Sequence, residues 1–435
     1  MLSNLLGLVT RYEERKFLKL NEEIDESQIT PTRPLPLREV RRSPERSEGT
    51  KVRDESEKIA LYIHVPFCKS LCPYCCFNRY LFNEDKARRY FNSLRRELDL
   101  YIQKGFEFST FYFGGGTPTV LIYELLAFID YLKKNFEVKQ ISVETTAREV
   151  NEENVNLLKE SGVNRLSIGV QSFHDSILKA MGRYALNGEE IKERISVAKG
   201  KFDTLNLDFI FNFPSQSMKQ LEADLEIFAS LGIEQATFYP LMPSPHKRSA
   251  LERRFNKIDT SQEKRFYDVI LKELASSGYS PSTVWCFSRG TRMIDEYVVD
   301  FDDYIGIGCG SVSLFRGNFY VNSFSLNRYE GFLKENKLPI IRWRKLSERE
   351  LLYYYFLSKL FGMKIDTRKF RHKFNADMHE KLRRELLFFK LFGLIQETDG
   401  RIALTQRGMY PVNVMMREFF SSLNGLREYC IENQI

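Results

Sequence analysis

What this sequence lacks removes several classes of function. No apolar run approaches the about 20 residues that a membrane-spanning helix needs. The opening stretch, Met1 to Val9, is short and has neither the basic flank nor the cleavage site of a signal peptide, so the chain is read as cytosolic. Cysteine is scarce and unevenly placed: of seven, four fall between Cys68 and Cys76, whereas Cys286, Cys309 and Cys430 stand alone. A disulfide framework spreads its cysteines along a secreted chain, whereas a tight cluster points to metal or redox chemistry. A strong charge excess is missing too. The net charge of +7 over 435 residues does not by itself argue for nucleic acid, and a solvated surface accounts for it.

Hydrophobic residues make up 43% of the chain, enough for a large buried core, and the length suggests two or three domains. Residues 1–24 carry the pattern of a short amphipathic helix. Residues 25–58 are rich in proline, serine and charge; such a stretch buries too little to offset its ordering entropy, so 1–58 is expected to be a partly disordered arm. From Ile59 the pattern alternates. Apolar runs at 60–65, 111–113, 141–145, 164–170, 205–211 and 236–241 read as strands, with helical patterns at 84–104, 121–135, 151–160, 174–199 and 217–231 between them. Six unbroken apolar strands in steps of helix and strand imply parallel βα units. The fold class expected is α/β: a partial (β/α)6 TIM-like barrel over 59–245, a barrel extension and linking segment over 246–344, and a C-terminal helical, winged-helix-like domain over 345–435. An open, doubly wound sheet is the alternative. In the last domain, helical patterns at 347–361 and 376–392 lead into a hairpin at 393–405 around Asp399-Gly400. The basic run from Lys364 to Lys373 reads as a solvated helix face in preference to an anion site.

The chemistry is concentrated in Cys68-Lys-Ser-Leu-Cys72-Pro-Tyr-Cys75-Cys76. Three thiolates on one short loop can each bind a different iron of a cubane cluster, leaving the fourth iron open. An open iron can chelate the amino and carboxylate groups of S-adenosylmethionine (SAM), whose one-electron cleavage yields a 5′-deoxyadenosyl radical. Gaps of three and then two residues suit that chemistry. Structural zinc usually takes paired C-x-x-C units, and no second pair exists here; thioredoxin-like use of Cys72 and Cys75 would leave Cys68 surplus. The loop follows the first strand, and active sites of barrels sit at the C-terminal ends of strands. Gly114-Gly115-Gly116-Thr117-Pro118 follows the second strand and leaves backbone groups free to meet a ligand. Glu144, Gln171 and Asp208 fall at or near later strand ends, where convergence on one rim favours a ligand over isolated structural roles. Cys286 and Cys309 read as core cysteines.

These segments, in this order, resemble the oxygen-independent coproporphyrinogen III oxidase family of the radical SAM superfamily, including its haem-chaperone-like branch. The matching text is LYIHVPFCKSLCPYCCFN (61–78), FYFGGGTPT (111–119), SGVNRLSIGVQSF (161–173), LKAMGRY (178–184), NLDFIFNFP (206–214) and YIGIGCGS (304–311). The resemblance implies that Cys68, Cys72 and Cys75 hold a [4Fe–4S] cluster and that Tyr62 lies beside the cluster-bound SAM. It further implies that Gly115, Gly116 and Thr117 contact the methionine part of SAM, and that Glu144, Gln171, Arg183 and Asp208 bind the rest. One or two SAM molecules are implied, with an electron donor such as flavodoxin or ferredoxin and a small-molecule substrate, a tetrapyrrole or another hydrophobic compound; no nucleic acid is expected.

This chain has Phe77 where the family oxidases carry a fourth cysteine, with Cys76 one residue early, and it has no HNxxYW haem-binding segment. After the strand-three glutamate it reads Glu144-Thr-Thr-Ala-Arg148 where the family often has a proline. Cys76 has three readings: a thiol donor in the catalytic chemistry, a metal ligand if the cluster ligation shifts, or a residue with no catalytic role. The expected function is radical chemistry on a coproporphyrinogen-like or other hydrophobic substrate. The alternatives are a haem- or tetrapyrrole-binding chaperone-like protein and a radical SAM methyltransferase or cyclopropanase.

Overall fold

The computed structural model describes residues 29, 59–255, 258–290, 299 and 301–435; the expected helix at 1–24 and nearly all of the expected arm lie outside them. Six strands come first: β1 (Ile59–Val65), β2 (Phe108–Gly115), β3 (Gln140–Thr146), β4 (Arg165–Gln171), β5 (Thr204–Phe211) and β6 (Gln235–Pro240). Each is rich in residues buried on both faces, as parallel strands under helices must be. They lie side by side in chain order, and every neighbouring pair is parallel. That order excludes the doubly wound alternative, whose strand order reverses at a switch point. One-way winding makes a barrel-like arc.

The arc is extended at both ends. Beyond β6 come β7 (Ser280–Pro281) and β8 (Cys286–Ser288), with β8 antiparallel to β6. The glycine-rich segment predicted near 304–311 supplies β9 (Tyr304–Ile307), which lies parallel to β1 on the other flank. Strands β10 (Val312–Phe315), β11 (Asn318–Asn322) and β12 (Ile340–Lys345) add antiparallel to it, and the twelve-stranded sheet stays open.

The crossover helices are α1 (Glu84–Gln103), α2 (Ile122–Asn135), α3 (Glu152–Glu160), α4 (Asp175–Ala180), α5 (Gly188–Ala198) and α6 (Met218–Leu231). Their ends are chemically marked. Asn83 accepts from the Lys86 N–H to start α1, and a capping box of Ser217 and Gln220 starts α6. The expected face of α1, Phe91, Leu94, Leu98 and Tyr101, is fully buried against the sheet.

The remaining helices are α7 (Pro245–Phe255), α8 (Thr260–Ser276), α9 (Leu326–Lys334), α10 (Glu348–Phe361), α11 (Thr367–Phe374), α12 (Met378–Lys381), α13 (Arg383–Leu391) and α14 (Gln406–Glu432). The predicted hairpin is present as β14 (Ile395–Thr398) and β15 (Arg401–Leu404), joined by a third short strand, β13 (Lys364–Asp366). Asp399 and Gly400 both have positive φ, as a tight turn of the I′ kind requires. The basic run on α11 is a solvated face, with Arg371 paired to Asp377 and Lys373 to Asp302.

One buried polar cluster ties α1 to the glycine-rich segment. Glu97 is fully buried and accepts from the Gly308 N–H (2.8 Å), the Asn322 amide (2.7 Å) and the Tyr329 hydroxyl (2.6 Å). Burial pushes its acid up to about 7 from the usual 4.5, despite those donors. The folded chain therefore holds this proton more tightly than the unfolded one. The stability so gained is complete below about pH 4.5 and is lost as pH rises through about 7. The shift corresponds to roughly 3 kcal/mol. Denaturant midpoints of the wild type should fall across that window, and Glu97→Gln should flatten the slope; an unchanged slope would assign the pH dependence to other groups.

Candidate active site

At the C-terminal ends of β1 to β6 lies a cavity of about 420 Å³. All the residues expected to form the site line it: Tyr62, Cys68, Cys72, Cys75, Cys76, Gly115, Gly116, Thr117, Glu144, Gln171, Arg183 and Asp208. They come from six separate chain segments, and chain order around the arc is what brings them together.

The cysteine loop leaves β1 through a two-residue ladder in which Phe67–Cys68 runs parallel to Tyr80–Leu81. Inside the loop the Cys75 N–H donates to the Cys72 carbonyl (3.2 Å). The Arg79 guanidinium donates to the carbonyls of Cys72 (2.5 Å) and Cys75 (3.0 Å), which fixes the turn. Thr117 places its hydroxyl 3.7 Å from the Cys68 sulfur. All four loop cysteines are free and partly buried, whereas Cys286, Cys309 and Cys430 are free and buried. Burial pushes the Cys68 thiol up to about 11, so ligation there releases a proton. Among the described residues no three of histidine, cysteine, aspartate or glutamate converge as they would on a single ion. A cubane cluster makes a different demand, one thiolate for each of several irons.

Behind the loop, Tyr62 and His64 form a pair. The His64 Nε2 faces the Asn78 carbonyl at 2.8 Å and must carry the proton to bond it; the Tyr62 hydroxyl then donates to Nδ1 at 3.0 Å. Burial lowers His64 to about 4, which keeps it neutral. Burial, and secondly the charge of Glu144, raise the Tyr62 phenol well above its ordinary value.

The glycine run ends β2 against this pair. Gly115 has φ +112°, a conformation that side-chain-bearing residues rarely adopt, and its N–H donates to Glu144 (3.1 Å). The other Glu144 oxygen accepts from the Tyr112 hydroxyl (2.8 Å). On β4 the register slips between Gly169 and Gln171, and Gln171 takes φ 73°. Strained backbone at a strand end is a frequent mark of a functional rim. Arg183 donates to the Gly169 carbonyl at 2.7 Å and also interacts with Tyr74 and Cys72. Asp208 is held by the Ser167 hydroxyl and the Asn206 amide, each at 2.7 Å. Cys76 is turned toward α7: it donates to the Tyr74 carbonyl (3.6 Å) and accepts from the Ser244 N–H (3.4 Å).

Part of the wall escaped the sequence reading. Tyr239, Met242 and Trp285 line the cavity from β6 and the segments beyond it, and Phe420, Asn424 and Arg427 line it from α14. No local motif marks these residues. Their grouping arises from contacts across more than a hundred residues, such as Trp285 Nε1 to the Asn413 side chain (2.8 Å) and the Asn424 amide to the Met242 carbonyl (2.7 Å).

Known proteins resemble this chain in sequence and in fold. Residues 62–228 match the Radical SAM superfamily. The heme chaperone HemW of Bacillus subtilis (strain 168) is 26% identical over 378 residues, covering 83% of this chain and 99% of that protein. The oxygen-independent coproporphyrinogen III oxidase of Helicobacter pylori (strain ATCC 700392 / 26695) is 27% identical over 398 residues, covering 84% of this chain and 87% of the relative. Among solved structures, coproporphyrinogen III oxidase (HemN) from Escherichia coli superposes with a TM-score of 0.71 at 22% identity, over 83% of this chain and 90% of that one. That likeness shows the fold. The cofactors expected from the sequence, a [4Fe–4S] cluster and SAM, are those of the superfamily matched. Among the described residues no helix is long and apolar enough to cross a membrane.

Proposed function

We propose that this chain, which carries a radical SAM domain over residues 62–228, cleaves SAM reductively and directs the resulting radical chemistry at a tetrapyrrole-like or other hydrophobic substrate. The observation that carries the reading is the convergence of Cys68, Cys72 and Cys75 on one cavity with the glycine rim and the polar strand ends. When bound, the cluster and SAM supply a 5′-deoxyadenosyl radical, at the cost of one electron from an external carrier.

The chain's own residues would then act as follows. Cys68, Cys72 and Cys75 hold the cluster from one side, on a turn that Arg79 keeps in place. Tyr62, kept protonated by its burial, would lie beside the cluster-bound SAM. Gly115, Gly116 and Thr117 receive the polar end of SAM, and Glu144, Gln171, Arg183 and Asp208 receive the remainder. Asp208 and Glu144 are already oriented by Ser167, Asn206, Tyr112 and the Gly115 N–H, so little rearrangement is needed on binding. Leu178, Ile191, Ile210 and Leu241 add an apolar lining to the cavity.

A second reading, a haem or tetrapyrrole carrier, is favoured by the Bacillus subtilis relative, nearly all of whose length this chain matches. One experiment separates the two. The full chain is reconstituted anaerobically with iron and sulfide, reduced with dithionite in the presence of SAM, and assayed for 5′-deoxyadenosine; haem is titrated in parallel. Formation of 5′-deoxyadenosine is the expected result. A stable cluster that never cleaves SAM, together with stoichiometric haem binding, would replace the first reading by the second.

A further inference from the structure

The stretch from Cys68 to Arg79 carries two cations, and their surroundings differ. Lys69 is ion-paired with the Glu149 carboxylate at 2.7 Å. Arg79 is partly buried, lines the cavity beside the cysteines and forms no ion pair with any described residue. One terminal nitrogen makes both of its hydrogen bonds, to the carbonyls of Cys72 (2.5 Å) and Cys75 (3.0 Å). The Nε–H is shut off from solvent and donates to no protein atom.

That arrangement is unfavourable twice over. A buried donor without an acceptor forfeits the hydrogen bond it made with water, and a cation drawn out of water without a counter-charge loses solvation uncompensated. An orphaned buried donor of this kind is explained when a bound group outside the chain completes it. The loop marks which group. The two carbonyls belong to two of the three residues assigned above to the cluster, and the charge of Arg79 is also felt at the sulfur of the third, Cys68. Three thiolates outweigh the charge of an oxidised four-iron core, and an added electron makes the whole more negative still. Net charge and hydrogen bonds to sulfur are among the levers that set the potential of such a cluster.

We infer that Arg79 is the counter-cation of the cluster and a determinant of its reduction potential, acting beyond its hold on the turn. Its positive charge favours the reduced, more negative state, so reduction occurs at a higher potential than the thiolates alone would allow. The step it influences is the gain of one electron by the cluster from the external carrier, with no bond made or broken. Arginine suits the task because it stays protonated at every working pH, so the potential it sets does not drift with pH. The inference rests on the reading above in one respect, the assignment of Cys68, Cys72 and Cys75 to the cluster.

The test measures the midpoint potential of the reconstituted cluster in the full chain, without SAM. Samples are poised with titanium(III) citrate and read by electron paramagnetic resonance, and iron content is determined alongside. Arg79→Gln is expected to lower the ratio of reduced to oxidised cluster at a given potential at least roughly tenfold, about 59 mV for one electron. Arg79→Lys keeps the charge and should recover most of that shift. A role confined to holding the turn would instead lower the iron content and leave the potential of the remaining cluster unmoved. Should Arg79→Gln hold too little cluster to titrate, Arg79→His puts a switchable charge in the same place. Its potential should rise, more steeply than that of the wild type, as pH falls through the histidine range near about 6.5. Equal potentials in the wild type and Arg79→Gln, a shift in Arg79→Lys as large as in Arg79→Gln, or loss of the cluster from every variant would overturn the inference. A 5′-deoxyadenosine assay on the same preparations separates the two claims. A wild-type cluster that cleaves SAM at a potential indifferent to Arg79 sinks the inference alone; a potential set by Arg79 without SAM cleavage sinks the radical reading alone; a wild type that assembles no cluster sinks both.

Discussion

Replacing Cys68, Cys72 or Cys75 singly by alanine is expected to abolish the charge-transfer absorbance of the reconstituted cluster and to bring 5′-deoxyadenosine formation to background. The three side chains share one loop and one cavity, and with three ligands for a four-iron cluster none is redundant. Loss of a direct ligand should exceed the about 10–100-fold that removal of a merely supporting group costs. Cys430→Ala is the control for thiol removal, because that side chain is buried against Val321, Phe324 and Ile341 in a separate small core. Cys76→Ala is the informative neighbour. Its sulfur already bonds the Tyr74 carbonyl and the Ser244 N–H, so the cluster absorbance should survive. Loss of that absorbance in Cys76→Ala would place Cys76 among the ligands and contradict the three-cysteine assignment.

The second large effect is expected at Gly116. A Cβ built there meets the Phe67 carbonyl oxygen at 2.7 Å and Phe67 N and Pro66 C at 2.9 Å, all main chain. Side chains can swing away from such a contact, but backbone cannot. The Gly116 N–H bonds the Val65 carbonyl and the Thr117 N–H bonds the Phe67 carbonyl, both at 2.8 Å, so relief by shifting the loop breaks the seam between the glycine rim and the cysteine loop. Gly116→Ala should therefore destabilise the fold by about 1–3 kcal/mol and weaken SAM binding at least roughly tenfold. Gly331→Ala is the matched control: it lies within α9, where an added Cβ has nothing within 4 Å, and alanine is the better helix former. Denaturation curves and equilibrium dialysis with SAM check both. Near-identical behaviour of the two variants would mean that the seam tolerates a shift and does not shape the SAM site.

The parallel half of the molecule was legible in the sequence because a strand buried on both faces is written as an unbroken apolar run. All six such runs became strands, and the spacing between them left room for a helix each time. Strand order was not legible from spacing, and the consecutive order resolves it in favour of the arc. The motif residues were legible for the same local reason. Gly115, Glu144 and Gln171 stand at or near the ends of their strands and the cysteines on the loop after the first, so predicting those strands predicts where these residues emerge. The antiparallel flank was harder. Strands β8 to β10 are three or four residues long, too short to show a period, and fall in the stretch read only as a barrel extension and linking segment. Helix α14 escaped because Gly408 and Pro411 fall near its start, where both residues read as breaks. With the helix went Phe420, Asn424 and Arg427, and thus part of the cavity wall. The identity of a wall made by tertiary contact is not written in any one segment.

Helix α14 has a further consequence. Near its start Asn413 and Arg417 bind Glu263 on α8, and near its end Leu423, Leu426 and Cys430 pack on Val321, Phe324 and Ile341 of the opposite flank. At 27 residues and about 1.5 Å per residue it is a rod of about 40 Å laid across the gap of an open ring. A ring closed by strands has its width set by a ladder of backbone hydrogen bonds. This one is spanned by a helix fastened through side chains, with an ion pair to Glu263 near one end, the Asn413–Trp285 and Asn424–Met242 bonds along its length and apolar contacts near the other, while the strands that carry the chemistry are held by their own ladder.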